Sequence, residues 1–270
     1  MQALGLRPKK HLGQHFLVDG AAAMRIAHVA IEGSSNDGPF PILEIGAGTG
    51  ALTQALVDLG VDVTALEIDP NLVAYLQATP SLGRARIMHA DALAFDYGSF
   101  AAGLPWRLTG NLPYNIATPL LLRLIELPRG PQAMIVMLQS DVAQRLAAKP
   151  ATPAYGSLTL AVQYAMHVER LFCVGPQAFY PRPKVDSTVV RLSRHAQPPV
   201  SARDPRFLLQ VTRAAFAYRR KTLANSLQLA LNIERARTAA ALKSIGLYPE
   251  IRGEELELAQ FAALVDRLQR

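Results

Sequence analysis

Short apolar runs alternate with segments of helical periodicity between residues 40 and 140. The runs have the length and β-branched content of buried strands, and the segments between them repeat their apolar positions every three to four residues. This alternation is typical of βαβ units and predicts a parallel sheet. Strands are predicted at 41–45, 62–68, 84–89, 106–110, 133–139 and 187–193, and helices at 51–60, 71–77 and 120–127.

Three pairs of a capping residue and a proline predict where helices begin. They are Asp69-Pro70, Thr118-Pro119 and Asp204-Pro205. The capping side chain can accept from the free N–H groups of the first turn, and proline suits the first helical position because no N–H is needed there. After residue 203 the pattern is helical throughout, so we expect a small all-helical domain at this end.

The positive charge of the chain is concentrated in that helical tail. The formal net charge is +7, and residues 196–270 hold 12 Lys/Arg against 7 Asp/Glu, compared with 16 against 14 in residues 1–195. Such an excess favours a polyanionic partner. The polar, proline-containing stretch 194–199 is typical of a linker, so we divide the chain into domains 1–195 and 196–270.

The composition also excludes some classes of protein. We find no apolar stretch long enough to span a bilayer, and the first residues lack the apolar core of a secretory signal. A single cysteine, Cys173, cannot form an internal disulfide and has no neighbour at metal-ligand spacing, so we expect a small buried side chain and no metal site. We therefore expect a cytoplasmic monomer without a membrane partner.

A glycine-rich turn at 44–50 lies between a predicted strand and a predicted helix. Glycine at Gly46 and Gly48 lets the backbone turn sharply and approach a nucleoside closely. Glu67 ends the next strand, where a carboxylate can accept from both ribose hydroxyls. Because Gly46, Gly48 and Ala51 also match the dinucleotide fingerprint, this turn alone leaves NAD open as a ligand.

A second carboxylate, Asp91, follows the predicted strand 84–89. Because the carboxyl ends of parallel strands meet at one edge of the sheet, Asp91 is expected near Glu67, where it could accept from an adenine amino group. A loop aspartate is also a common turn former, and it is the neighbouring motifs that favour a binding role.

The tetrapeptide Asn111-Leu112-Pro113-Tyr114 follows the predicted strand 106–110. An aromatic amino nitrogen is a poor nucleophile, because its lone pair is delocalised into the ring. Hydrogen bonds from this amino group to the Asn111 side-chain oxygen and the Pro113 carbonyl would favour a pyramidal nitrogen aimed at a methyl donor. Tyr114 would stack on the base. This interpretation requires neither a metal nor a covalent intermediate, although a plain proline turn is the alternative.

A second aromatic candidate, Phe179, begins a proline-rich loop that ends at Ser187. Together with Tyr114 it could enclose an adenine extruded from its stack. The alternative is that Phe179 or Tyr180 only fills the edge of the core.

In this order, the motifs resemble the ribosomal RNA adenine N6,N6-dimethyltransferases, especially those that dimethylate two adjacent adenosines near the 3′ end of small-subunit (16S) rRNA. The resemblance implies a class I methyltransferase fold with a mostly parallel seven-stranded sheet and an antiparallel last strand. It also implies S-adenosylmethionine as cofactor and an immature small ribosomal subunit as the site of action. The motifs are Lys9–Leu17, Glu44–Gly50, Glu67–Asp69, Asp91–Leu93, Asn111–Tyr114, Phe179–Ser187 and Arg219–Leu223.

The resemblance adds site residues that spacing alone does not give. It implies cofactor contacts by His15 and Leu17 beside Gly46, and extends the contacts of Glu67, Asp91 and Asn111 to Ile68 and Ala92. It also places Lys9 and Lys10 among the RNA-binding residues. One departure is His15, because the family usually has asparagine there. Histidine keeps a hydrogen-bonding side chain but adds a tautomer and a charge.

Basic residues of the tail recur every seven positions at Arg206, Arg213 and Arg220, with Lys221 beside them. If the helix is continuous, they share a face that could follow RNA phosphates. Arg219 would point elsewhere, so either the helix breaks there or this residue has another role. A solvated basic face is the alternative.

Four other functions are compared with this hypothesis. A large-subunit rRNA adenine methyltransferase of the macrolide-resistance type would share the catalytic loop, and a ribosome-assembly factor with little activity would share the fold. A DNA adenine methyltransferase commonly has aspartate where this chain has Asn111. An NAD-dependent oxidoreductase would leave Asn111–Tyr114 without a role and lacks a convincing acid/base pair.

Overall fold

A computed structural model describes residues 8–9, 12–32, 40–218 and 220–269. Of the residues singled out above, Lys10 and Arg219 lie outside the described residues, so their predicted roles have no structural counterpart here.

The described strands and helices, numbered in chain order, have the following bounds. The strands are β1 Phe16–Leu17, β2 Ile42–Ile45, β3 Val63–Glu67, β4 Arg86–His89, β5 Arg107–Asn111, β6 Ala133–Gln139, β7 Met166–Val174, β8 Phe179–Tyr180 and β9 Ser187–Arg194. The helices are α1 Gly20–Ile31, α2 Ala51–Asp58, α3 Pro70–Gln77, α4 Ala117–Glu126, α5 Ser140–Leu146, α6 Ser157–Ala165, α7 Pro205–Ala215, α8 Leu223–Leu231, α9 Arg235–Ser244 and α10 Leu258–Leu268.

Seven of the described strands form one sheet in the order β4-β3-β2-β5-β6-β9-β7. Strands β2 to β6 pair in parallel, and β9 runs antiparallel to β6 in the register Ala133↔Ser193 to Gln139↔Ser187. The expected sheet with an antiparallel last strand is confirmed. Parallel strands bring their carboxyl ends to one edge, and the turns that follow β2, β3, β4 and β5 therefore meet there.

Two of the three predicted helix starts are confirmed. Asp69 accepts from Asn71 N–H at the start of α3, and Asp204 accepts from the N–H groups of Arg206 and Phe207 at the start of α7. The prediction for Thr118 is wrong. Helix α4 begins at Ala117, because the Pro113 carbonyl accepts from the N–H groups of Ile116 and Ala117 and so starts the helical turn earlier.

The basic residues of the tail do not lie on one continuous helix, and the helix break that was one of the two possibilities is what the structure shows. Helix α7 ends at Ala215, so Arg206 and Arg213 belong to this helix, whereas Arg220 and Lys221 lie in the connection to α8. All four side chains are exposed. Their contact with RNA therefore stays a prediction that no longer depends on a shared helix face.

Sequence patterns missed the strand β7 and the short antiparallel pair of β1 with β8. Strand β7 lies at the edge of the sheet and carries polar, exposed side chains among its apolar ones, which hides it from a search for apolar runs. Cys173 lies on this strand and is exposed, so the expected buried position is wrong.

Contacts within the chain define two compact units. One contains the chain up to Ala143 together with Val168–Arg194, and the other contains Gln144–His167 and His195–Arg270. The core of the second unit is built from apolar side chains of α6 to α10, and Tyr155 donates to the Leu256 carbonyl at 2.8 Å within it. The domain boundary at residue 195 stays a prediction, since a compact unit need not fold alone.

Over the described residues, no helix is both long and apolar enough to cross a membrane.

Candidate active site

A cavity opens at the carboxyl ends of β2, β3 and β5, with an empty volume of about 1120 Å³ counted out to its open mouth. Every residue for which we predicted a cofactor contact lines it: His15, Leu17, Gly46, Gly48, Glu67, Ile68, Asp91, Ala92 and Asn111. Pro113 and Tyr114 also line it. The structure thus brings together side chains that the sequence scatters over about a hundred positions.

The glycine turn after β2 is fastened to the end of β3. The N–H groups of Gly46 and Ala47 both donate to the Leu66 carbonyl, at 2.8 and 3.2 Å. Gly48 has a φ of +58°, and a Cβ there would lie 3.0 Å from the Phe16 ring. Only glycine adopts this conformation readily, and its missing side chain leaves room for a ligand to approach the backbone.

Glu67 is held rigidly by main-chain donors. Its Oε2 accepts from Gly48 N–H, and its Oε1 accepts from Ile68 N–H and Asp69 N–H, all at 2.9 Å. Burial raises the pKa of Glu67, and these three hydrogen bonds oppose that rise. A carboxylate offers about four acceptor positions, so one remains for a ligand hydroxyl.

Lys9 is engaged in an ion pair at this edge. Its Nζ lies 2.8 Å from Oδ1 of the buried Asp69. Although burial raises the pKa of Asp69, hydrogen bonds from Lys9, the Asn71 N–H and Gln14 together with the Lys9 charge hold this pKa below its usual value. A phosphate would have to compete with Asp69 for Lys9, which weakens the predicted RNA contact of this residue.

Asp91 borders the cavity in an exposed turn, and its Oδ1 accepts from Leu93 N–H at 2.8 Å. The turn is braced by Arg123 of α4, which donates to the carbonyls of Ala92, Leu93 and Phe95. Sequence analysis missed Arg123, because a lone arginine within an apolar helix gives no signal of its partner.

Asn111 ends β5 with its side chain oriented by the segment that carries His15. Its Nδ2 donates to the His15 carbonyl at 2.8 Å, which leaves Oδ1 as an acceptor. This is the chemistry that a base amino group requires.

The position of Asn111 depends on the preceding residue, Gly110, which has a φ of +156°. A Cβ at Gly110 would lie 2.4 Å from the Ile45 carbonyl oxygen of the neighbouring strand β2. Real Cβ atoms do not approach so closely, so any other residue would force the two strands apart at this point.

The Pro113 carbonyl, which we expected to accept from the base, already accepts from Ile116 N–H at 3.1 Å and Ala117 N–H at 3.0 Å. With both lone pairs engaged, it is not a free acceptor. Among the hydrogen bonds of the described residues, none ends on the Leu112 carbonyl, one position earlier in the same loop. Leu112 is thus the better candidate for the second acceptor.

Tyr114 and His15 stack, with ring centroids 5.2 Å apart and planes inclined by 28°. The His15 Nδ1 lies 2.8 Å from the Pro181 carbonyl, which can only accept, so Nδ1 carries a proton. The Tyr114 hydroxyl lies 3.5 Å from Ser187 Oγ, and burial raises the pKa of this phenol. Histidine in place of the usual asparagine therefore links the catalytic loop to the proline-rich loop.

Phe179 does not reach the cavity. It is 2% exposed and packs in an apolar cluster with residues of α1, β2 and β6, opposite Leu17 across the β1–β8 pair. A ring buried in this way cannot stack on a base, so the predicted catalytic position is not supported and the alternative, a core side chain, is.

Glu44 is a site residue that sequence analysis did not assign. It lines the cavity at 1% exposure and accepts from Thr53 Oγ1 at 2.7 Å. Burial raises its pKa to about 7, opposed by the Thr53 hydrogen bond and assisted by the charge of Glu67. Its place in the strand before the glycine turn was the available signal.

These features fit a nucleoside-containing methyl donor beside an amino-group acceptor. Gly48, Glu67 and Asn111 line one cavity, and the Asn111 Nδ2 hydrogen bond leaves Oδ1 as an acceptor. The sheet order, its antiparallel last strand and this site define a class I S-adenosylmethionine-dependent methyltransferase.

Comparisons with known proteins agree. The family model described as ribosomal RNA adenine dimethylase matches residues 5–270. The chain belongs to this family. It is 42% identical to the ribosomal RNA small subunit methyltransferase A of Pseudomonas aeruginosa, over 97% of this chain and 95% of the relative. It is 40% identical to the protein of that name from Geobacillus thermodenitrificans, over 98% and 92%.

Solved structures show the same architecture. The 23S rRNA methyltransferase ErmE superposes with a TM-score of 0.69 at 26% identity, covering 94% of this chain and all of that one. A dimethyladenosine transferase from Plasmodium falciparum superposes with a TM-score of 0.72 at 23% identity, covering 93% and 96%. The predicted fold, enzyme class and cofactor are confirmed.

Proposed function

We propose that this protein transfers methyl groups from S-adenosylmethionine to the N6 amino groups of two adjacent adenosines near the 3′ end of small-subunit (16S) rRNA, forming N6,N6-dimethyladenosine. The observation that carries the proposal is the oriented Asn111 amide, which lines the same cavity as Gly48 and Glu67 and whose Nδ2 donates to the His15 carbonyl, so that Oδ1 is left as an acceptor. The name shared by relatives at 40–42% identity supports the choice of the small subunit.

The residues of the site act by positioning. S-adenosylmethionine supplies an electrophilic methyl group on a neutral leaving group. Asn111 Oδ1 and the Leu112 carbonyl each accept one N–H of the adenosine amino group, so that its lone pair points toward the methyl group. Tyr114 stacks on the base, and the proton leaves the nitrogen after transfer. The site requires no covalent intermediate with the protein.

The helical tail supplies further contacts in this proposal. Arg206, Arg213, Arg220 and Lys221 are exposed and would bind phosphates of the ribosomal RNA. The substrate is an immature small subunit in the cytoplasm, and the enzyme acts as a monomer. Lys9 is left out of this group because of its ion pair with Asp69.

The test is to incubate the protein with methyl-labelled S-adenosylmethionine and, separately, with immature small subunits and with large subunits, and then to locate the label. We expect labelled N6,N6-dimethyladenosine in small-subunit RNA alone. Label in large-subunit RNA would favour a macrolide-resistance type of enzyme. Cofactor binding without transfer to either particle would favour an assembly factor.

A further inference from the structure

The loop between β8 and β9, residues 181–186, is held by a hydrogen bond at each end, and the first of them comes from the active-site residue His15. We call it the rim loop. At its start the Pro181 carbonyl accepts from His15 Nδ1 at 2.8 Å, and at its end the Asp186 carbonyl accepts from Ser140 N–H at 3.0 Å. The next residue, Ser187, lies 3.5 Å from the Tyr114 hydroxyl. The rim loop therefore borders the stacked pair of His15 and Tyr114.

Tyr180, directly before the rim loop, belongs to the β1–β8 pair. It stands opposite Phe16, and directly opposed residues of an antiparallel pair share a face. Phe16 lines the cavity and its ring approaches Gly48. Tyr180 is 44% exposed, whereas its neighbour Phe179 faces the core. Tyr180 is thus the exposed ring beside the rim loop.

Two cations of the rim loop, Arg182 and Lys184, are exposed. Within the described part of the chain, neither Arg182 nor Lys184 takes part in an ion pair or a side-chain hydrogen bond, although Asp186 is exposed in the same loop. Elsewhere in this unit, Arg191 is paired with Glu32 and Glu169. Pro183, which separates the two cations, is buried and anchors the loop between them.

We propose that Tyr180, Arg182 and Lys184 form a contact surface for the RNA strand that flanks the target adenosine. The cations bind phosphates on either side of the extruded nucleotide, and the Tyr180 ring stacks on a neighbouring base. This inference rests on the proposed function, since it takes the RNA to enter beside Tyr114. Aromatic rings combined with cations that follow the backbone are how proteins hold single strands without reading their sequence.

The fixed backbone of the rim loop favours phosphate binding by these cations over a merely solvated surface. A flexible lysine or arginine loses side-chain entropy when it binds a phosphate, and a moving loop would add a backbone cost. Here the backbone is fixed by two hydrogen bonds and two prolines, so only the side chains must become ordered. An extruded base also carries its own phosphates to the cavity mouth, which brings them to the rim loop.

The test compares the charge-reversed pair R182E/K184E with R86E/R129E. The control residues are exposed and lie at the amino ends of β4 and β6, on the opposite edge of the same sheet, and the two variants change the net charge equally. Steady-state methylation of immature small subunits is measured against salt, with S-adenosylmethionine affinity measured separately. We expect R182E/K184E to raise KM about 10-fold or more and to lower the salt slope by about 2, at unchanged cofactor affinity.

Equal KM values and salt slopes for the two variants would overturn the proposal. If wild type itself labels no small-subunit RNA, the proposed function fails instead, and the two failures are thus distinguished. Should R182E/K184E also lose cofactor affinity, the neutral variant R182Q/K184Q decides by whether its salt slope falls. Tyr180→Ala should raise KM without altering the salt slope, and Tyr180→Phe, which keeps the ring, should have the KM of wild type. An unchanged KM for Tyr180→Ala would show that the Tyr180 ring is not part of the proposed contact surface.

Discussion

The two halves of the active site are held together in different ways. In the cofactor half, which contains Gly48, Glu67 and Asp91, the hydrogen bonds that fix the carboxylates join residues 1 to 19 positions apart and come from main-chain N–H groups. In the substrate half, which contains Asn111, Tyr114 and His15, the hydrogen bonds of the side chains join residues 73 to 166 positions apart. The cofactor half is a product of local turns, and the substrate half is assembled from distant segments.

This difference predicts how each half responds to mutation. Main-chain donors survive most side-chain substitutions, so the cofactor half is sensitive mainly at its carboxylates and at Gly48, where a Cβ would meet the Phe16 ring. The substrate half depends on single contacts between segments, each worth little alone. Its residues act on the geometry of transfer, so their loss should appear in turnover before it appears in cofactor affinity.

Asn111→Ala should have the largest effect. One positioning acceptor is often worth about 100-fold in rate, so we expect turnover to fall by about 100-fold or more. Cofactor affinity, measured by calorimetry, should weaken only slightly, since Glu67 and the glycine turn are untouched. Wild-type turnover by this variant would show that Asn111 does not position the base, and would contradict the division of the site into two halves.

Glu67→Gln should produce the opposite pattern. Three N–H groups converge on this carboxylate, and an amide places an NH₂ group against one of them. Hydrogen bonds to charged groups contribute roughly 1.5–3 kcal/mol, so we expect cofactor affinity to fall about 10- to 100-fold. Turnover at saturating cofactor should stay near that of wild type. A fall in turnover with unchanged affinity would contradict the division of the site.

Glu44→Gln tests a cofactor-half carboxylate through pH. Because burial raises the folded pKa of Glu44 to about 7, the folded state binds more protons than the unfolded state between about pH 4.5 and 7. Wild type therefore loses stability from this group as the pH rises through that window. The difference in the free energy of unfolding, variant minus wild type, should therefore increase by roughly 1–2 kcal/mol as the pH rises from 5 to 7.

Denaturant unfolding of both proteins at several pH values measures this difference. A constant difference across the window would show that Glu44 does not titrate there.

His15→Ala should have the smallest effect of the four. The substitution removes the ring stacked on Tyr114 and the hydrogen bond to Pro181 but keeps the carbonyl that orients Asn111. A stacked pair and one neutral hydrogen bond contribute about 1 kcal/mol each, so turnover should fall roughly 5- to 30-fold. The turnover of His15→Asn, which keeps a donor but not the ring, should lie between that of wild type and that of His15→Ala. A larger loss of cofactor affinity than of turnover would assign His15 to the cofactor half.

The same contrast explains what could be predicted from the sequence. Strands β2, β3 and β6 are short runs in which apolar residues dominate, and the predicted strands 41–45, 62–68 and 133–139 match them to within a residue or so. The glycine turn, Glu67 and Asp91 follow from strand ends that meet at one edge of a parallel sheet. Such features depend on neighbours in sequence, which a pattern records.

The errors fall where distant segments meet. Phe179 was assigned to the cavity, but pairing of β8 with β1 turns it toward the core and exposes Tyr180 instead. The Pro113 carbonyl was assigned to the base, but it starts α4. Neither the strand pairing nor the competing N–H donors can be read from a local motif.

The contact of Gly110 with Ile45 has a consequence for the reaction itself. One strand leads to the turn that would hold the methyl donor, and the other to the amide that would hold its acceptor. The gap that the methyl group must cross is therefore set by how tightly two neighbouring backbones can approach. Enlarging Gly110 by one carbon would lengthen the transfer path without removing any ligand contact, and mutagenesis confined to the cavity wall would overlook it.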